Sequence, residues 1–110
     1  MTLEATRNRR ALTVRVCEPR LDASMALDFK EKMREIIQQG HRTILLNLGE
    51  VEFMDSSGLG ALVSSLKMLG RGGKLALCEI QEPVRALLRT TRLDRVFPIF
   101  ASQEQGLKKL

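Results

Sequence analysis

The chain has 110 residues, 44% apolar and 28% charged, with a formal net charge of +5 at pH 7. That length supports a single hydrophobic core, so one domain over residues 1–110 is expected. No apolar run approaches the roughly 20 residues a membrane-spanning helix requires, and a chain with no Trp, no Tyr and four Phe offers few platforms for base stacking.

The first residues lack the apolar core of a secretory signal, which predicts a cytoplasmic protein. Cys17 and Cys78 lie in separate apolar segments without a CxxC pair, so they are predicted to be buried, reduced thiols. His41 is the only histidine and has no cysteine near it in sequence, so neither a metal nor another cofactor is expected. The basic balance admits an acidic partner, a membrane surface or nucleic acid. Direct nucleic-acid binding is not expected, because charge alone does not establish it.

Residues 2–6 are compatible with a first strand, turned by Arg7-Asn8-Arg9. Leu12, Val14 and Val16 then alternate with Thr13, Arg15 and Cys17, the period-2 pattern of a half-buried strand. From Met25 the spacing becomes helical: Met25, Phe29, Met33, Ile36 and Ile37 share one face, with Asp22 or Ser24 as cap and Gly40 as stop. Thr43 to Leu48 is a nearly continuous apolar run, as in a parallel strand covered on both faces. A second helix is predicted after Ser57, with Leu59, Leu62, Val63, Leu66 and Leu69 inward and Gly70 as its stop. Lys74 to Ile80 reads as another buried strand, and Pro83 suits the first turn of a helix carrying Val84, Leu87 and Leu88 inward. On that third helix Arg85, Arg89 and Arg92 are predicted to form one outward stripe, most simply a solvated face. Arg95 to Phe100 reads as a short strand that Pro98 confines to an edge, and Ser102 with Gln105 as a capping box for a last helix. The alternation predicts an α/β fold: a mostly parallel central sheet of about four or five strands with about four helices.

The most informative stretch is Val51-Glu52-Phe53-Met54-Asp55-Ser56-Ser57-Gly58-Leu59-Gly60-Ala61-Leu62, between a buried strand and an amphipathic helix. Strand exits and the following helix N-termini form the functional edge of a parallel sheet, and free N–H groups there suit a hydroxyl cap or a phosphate. Gly58 and Gly60 are predicted to leave the first turn bare, open to another backbone. The same residue types are also ordinary caps, so on physical grounds both readings stay open.

The run Met54-Asp55-Ser56-Ser57-Gly58-Leu59-Gly60 resembles the signature of STAS domains, in particular of bacterial anti-sigma factor antagonists. The similarity extends to Arg20-Leu21-Asp22-Ala23, Leu46-Asn47-Leu48, Gly72-Gly73-Lys74-Leu75 and Leu93-Asp94-Arg95-Val96-Phe97. Pro19 departs from it, standing where many relatives have glycine, and puts the turn at residues 18–24 in question. The resemblance implies a single STAS-type domain that is not an enzyme. It implies Ser57 as a phosphorylation site and Asp22, Asp55, Ser56, Gly58, Leu59 and Gly60 as partner-binding residues. The implied partners are an anti-sigma factor that is also a serine kinase, and a serine phosphatase acting on the phosphorylated form. Unphosphorylated protein would bind the anti-sigma factor and free the sigma factor; phosphorylation would abolish binding. The alternative is a STAS adaptor in a membrane-transport or stress-signalling complex. Hydrolytic use of Ser57 lacks a base, since His41 is expected at the far end of the preceding strand.

Overall fold

A computed structural model describes all 110 residues. The chain begins with a hairpin, β1 (Leu3–Arg7) running antiparallel to β2 (Leu12–Val16). Asn8 fastens its turn: the amide donates to the Ala11 carbonyl at 3.0 Å and the side chain to Thr13 Oγ1 at 3.0 Å. β2 then pairs parallel with β4 (Thr43–Asn47), β4 with β6 (Lys74–Cys78), and β6 with β7 (Ile99–Phe100). The result is a mixed but mostly parallel sheet in the order β1-β2-β4-β6-β7.

The period of two in β4 sorts the core into two layers. Ile44, Leu46 and Leu48 join a cluster with Phe29 and Met33 of α1 (Ala23–Gln38), Leu59, Leu62 and Leu69 of α2 (Ser56–Leu69), and Val84 and Leu88 of α3 (Glu82–Thr90). Leu45 faces the other way and packs with Ala76, Cys78, Phe100 and Leu107 under α4 (Gln103–Lys109). The apolar run is therefore a strand covered on both faces, as its sequence predicts. Gly106 lets α4 lie close, because a Cβ there would stand 2.9 Å from a Leu45 methyl. The predicted Ser102–Gln105 cap forms with its return bond shifted by one residue: Gln105 N–H donates to Ser102 Oγ, and Gln105 Oε1 accepts from the N–H of Ala101, before the cap, both at 3.0 Å.

Three segments depart from the sequence pattern. β6 ends at Cys78 instead of Ile80, because Glu79 turns into the left-handed region with φ 61°. The turn aims its carboxylate at the Gln103 N–H, 2.7 Å away, which helps to cap α4. α3 ends at Thr90, and the Thr91 hydroxyl donates back to the Leu87 carbonyl at 2.8 Å. Arg92 lies beyond it with φ 62°, Arg89 pairs with Glu82 at 2.7 Å and Arg85 is half-buried, so the predicted arginine stripe does not exist. Of residues 95–100 only Ile99 and Phe100 are strand, because Leu93–Arg95 forms a 3₁₀ turn that buries Phe97. Pro98 does lie on the sheet edge, its carbonyl accepting from Leu77 N–H at 2.8 Å.

The two thiols differ more than their sequence contexts predict. Cys78 is fully buried, and desolvation, with the neighbouring Glu79 charge, pushes its pKa up to about 12. Cys17 follows the end of β2 and is only half-buried; desolvation still raises its pKa, against the pull of Arg15. The thiolate is the reactive form, so Cys78 is inert in the native fold. Native protein treated with iodoacetamide at neutral pH should slowly gain one adduct, on Cys17, while protein in concentrated guanidinium gains two. Peptide mass spectrometry distinguishes this from native labelling of Cys78.

Candidate functional site

The site is organised by a two-residue parallel bridge outside the main sheet. β3 (Arg20–Leu21) pairs with β5 (Phe53–Met54), Arg20 opposite Phe53 and Leu21 opposite Met54. The Pro19 carbonyl anchors it by accepting from Glu52 N–H at 2.8 Å and Phe53 N–H at 3.2 Å. A proline retains that acceptor, so Pro19 leaves this connection intact. The next residues along the two strands are Asp22 and Asp55, and each is an extended helix cap. The bridge thus starts α1 and α2 side by side.

The caps are also joined to each other. Asp22 Oδ1 accepts from Ser24 N–H at 3.0 Å, closing the first turn of α1. Asp55 Oδ1 accepts from Ser57 N–H at 2.9 Å and Gly58 N–H at 3.0 Å, while its Oδ2 accepts from Ala23 N–H of α1 at 3.2 Å. One carboxylate therefore serves the positive ends of two helices. The Asp22 carboxyl is held below the usual range by the Ser24 hydroxyl and then by Arg20, whose guanidinium lies 3.1 Å from it and stacks 4.3 Å over the Phe53 ring.

Among the predicted site residues, Ser56 and Ser57 are exposed on the first turn of α2, and Asp22 and Asp55 flank them, half-buried. Two amides of that turn, predicted to be free, are occupied by Asp55. Gly58 and Leu59 do not form an open surface. Gly58 is buried against the chain's own backbone, and a Cβ there would stand 2.1 Å from the Leu21 carbonyl oxygen. Leu59 belongs to the core, with 6% of its surface exposed at the rim of a shallow groove. Gly60 alone fits the prediction of a bare position: nothing lies within 4 Å of where its Cβ would be. The groove, about 450 Å³, runs from Ser56 along Gly60 and Val63 to Leu93. His41 lies in the α1–β4 loop, at the opposite end of the sheet from Ser57, so no Ser–His pair exists.

Sequence reasoning missed Arg20, Phe53 and Leu27 around this edge. Leu27 lies one helical turn beyond Ala23 and is 67% exposed, and Phe53 is 40% exposed. The signal for Leu27 was available, since it stands outside the apolar face that Met25, Phe29 and Met33 define. Phe53 had none, because only the short bridge reveals which way its ring points.

An α/β domain with helices on both faces of its sheet, and two of them capped side by side where the short β3–β5 bridge ends, defines the class. The STAS domain model matches residues 2–106, and the chain belongs to that family. Anti-sigma F factor antagonist of Paenibacillus polymyxa is 32% identical to it over 112 residues, covering 100% of this chain and 95% of that protein. An anti-sigma factor antagonist from Mycobacterium paratuberculosis shares the fold with TM-score 0.88 at 20% identity, covering 98% of this chain and 92% of that one. The Bacillus cell fate determinant SpoIIAA in its phosphorylated form does so with TM-score 0.73 at 22% identity, over 98% of both chains. No helix is long and apolar enough to cross a membrane.

Two consequences can be measured in chemical denaturation. Gly58→Ala should cost about 1–3 kcal/mol, because the methyl must displace backbone, whereas Gly60→Ala should be neutral or stabilising by roughly 0.5–1 kcal/mol. Acid titration probes the other cap. The native pKa of Asp22 is depressed, so its stabilisation is complete above the unfolded value of about 3.9 and is lost as pH falls through the native one. Asp22→Asn, which keeps a capping oxygen but lacks the titrating charge, should lower the melting temperature at neutral pH and flatten that acid limb, so that the two proteins converge at low pH.

Proposed function

We propose that this chain is a cytoplasmic anti-sigma factor antagonist working as a phosphorylation-controlled partner switch, with Ser57 as acceptor. The observation that carries the reading is the placement of Ser57: an exposed hydroxyl whose own N–H is already held by the Asp55 carboxylate. The relatives named as anti-sigma factor antagonists support the same role. In this reading the partner is an anti-sigma factor with serine kinase activity, which the unmodified protein binds. A serine phosphatase acting on the phosphorylated form returns it to the unmodified one.

The physical basis is subtraction of affinity without refolding. Phosphate adds about −1.5 to −2 charges, next to Asp55 and on the same edge as Asp22. At about 5 Å from one carboxylate, the repulsion is roughly 1.5 kcal/mol in water and about 6–7 kcal/mol at an effective dielectric of 20. A docked partner excludes water and moves the site towards the second figure. Exposed Leu27 and Phe53, with the Gly60 groove, supply the apolar contacts that such a partner would cover. Phosphate bulk at Ser57 obstructs that contact sterically as well.

Incubation with the cognate kinase and ATP should add one phosphate, on Ser57. Ser57→Ala should accept none, and Ser56→Ala should still be modified. Ser57→Asp should keep its circular dichroism and melting temperature yet bind the kinase more weakly, and full phosphorylation should weaken binding roughly a hundredfold, about 3 kcal/mol. Phosphate mapped to Ser56, or undiminished binding by authentically phosphorylated protein, would overturn the assignment.

A further inference from the structure

At the pole opposite Ser57, where β2, β4 and β6 begin, the β1–β2 turn and the α1–β4 loop enclose a recess of about 400 Å³. Four of its lining side chains are arginines, Arg7, Arg9, Arg10 and Arg42, with His41 beside them and no carboxylate among the lining residues. Outside the recess Arg15 pairs with Glu4 and Glu50, Arg20 with Asp22, and Arg89 with Glu82, while the other arginines are spread singly over the surface. None of the four in the recess forms a salt bridge. Two are tethered at the rim by residues outside the lining, since Arg42 donates one N–H to the Arg71 carbonyl at 2.6 Å and Arg10 one to the Lys108 carbonyl at 3.4 Å. Four like charges gathered without a counter-charge repel one another, and a bound anion relieves that repulsion.

We infer that this recess binds a small, multiply charged phosphate anion, a free polyphosphate-type ligand with at least two phosphoryl groups. Guanidinium forks match phosphoryl oxygens in pairs, and four of them call for more charge than one phosphate carries. The lining also argues against larger partners. Its two apolar residues, Ala11 and Leu12, are each only 6% exposed, so a protein segment or a lipid surface would find no apolar anchor. No aromatic ring lines the recess to stack a base, and the arginines surround one hollow instead of tracking a strand. The site is remote from Ser57, and its occupancy does not depend on the partner switch.

Isothermal titration of the full chain with sodium tripolyphosphate should show saturable binding at one site per chain. Arg9→Gln/Arg42→Gln should weaken it about tenfold or more, as expected when charge-assisted contacts are lost. Arg92→Gln/Arg95→Gln, which removes the same charge from the far side of the fold, should leave it nearly unchanged. Because Arg42 also tethers Arg71, Arg7→Gln/Arg9→Gln on the exposed hairpin is the second variant, with the same expected loss. Absence of saturable heat would overturn the inference. So would equal weakening by the Arg92/Arg95 variant, which would mark diffuse electrostatics. Sedimentation of the protein with phosphatidylglycerol vesicles but not phosphatidylcholine vesicles, without tripolyphosphate binding, would assign the recess to a membrane surface and overturn it too.

Discussion

Everything at the functional edge depends on two residue pairs of β-structure. The Arg20–Phe53 and Leu21–Met54 pairs bring Asp22 and Asp55 alongside each other, and the Asp55 carboxylate then spans the gap to the other helix. Slipping that register by one residue would turn the side chains of the bridge to opposite faces and leave two helix ends without their caps. The large sheet sets where the helices lie, but the small one sets how their first turns meet. Ser57 is held by this joint, whose Leu21 and Met54 are anchored in the main core, and so a surface hydroxyl sits in a fixed place.

That arrangement also shapes what a charge on Ser57 can do. A phosphate at a helix start ordinarily gains backbone N–H bonds. Here the Ser57 and Gly58 amides are already engaged by a carboxylate, so such a group has weaker cause to fold back onto the helix. It remains on the outer side, beside negative charge. Under the proposed switch, the fold therefore stays as it is while the surface changes sign, and the effect falls on whatever docks there.

Local chemistry made most of the architecture readable beforehand. The apolar run of β4, the helical spacing from Met25 and the Ser102–Gln105 box each combine a pattern with one physical cause. The pattern failed where a tertiary contact outweighed it. Glu79 adopts a left-handed backbone to cap a helix 24 residues away, and Thr91 ends α3 one residue before the arginine series is complete. At the site, the Ser56–Gly60 segment and both aspartates were visible as a motif. Their mutual capping was not, because a two-residue bridge is too short to leave any periodicity. Gly58 was misread for a related reason: a glycine that admits an outside backbone and one that admits the chain's own are identical in sequence.

The two glycines of the α2 start therefore answer to different histories. Gly58 presses on Leu21, so every member of a lineage that keeps this joint must keep that glycine, whatever it binds. Gly60 faces open space, so the fold makes no such demand on it. Where one ancestral chain duplicated and its copies had to avoid each other's partners, side chains could be added at Gly60 without cost to the fold. Paralogous pathways in one cell could be insulated from each other at that single position.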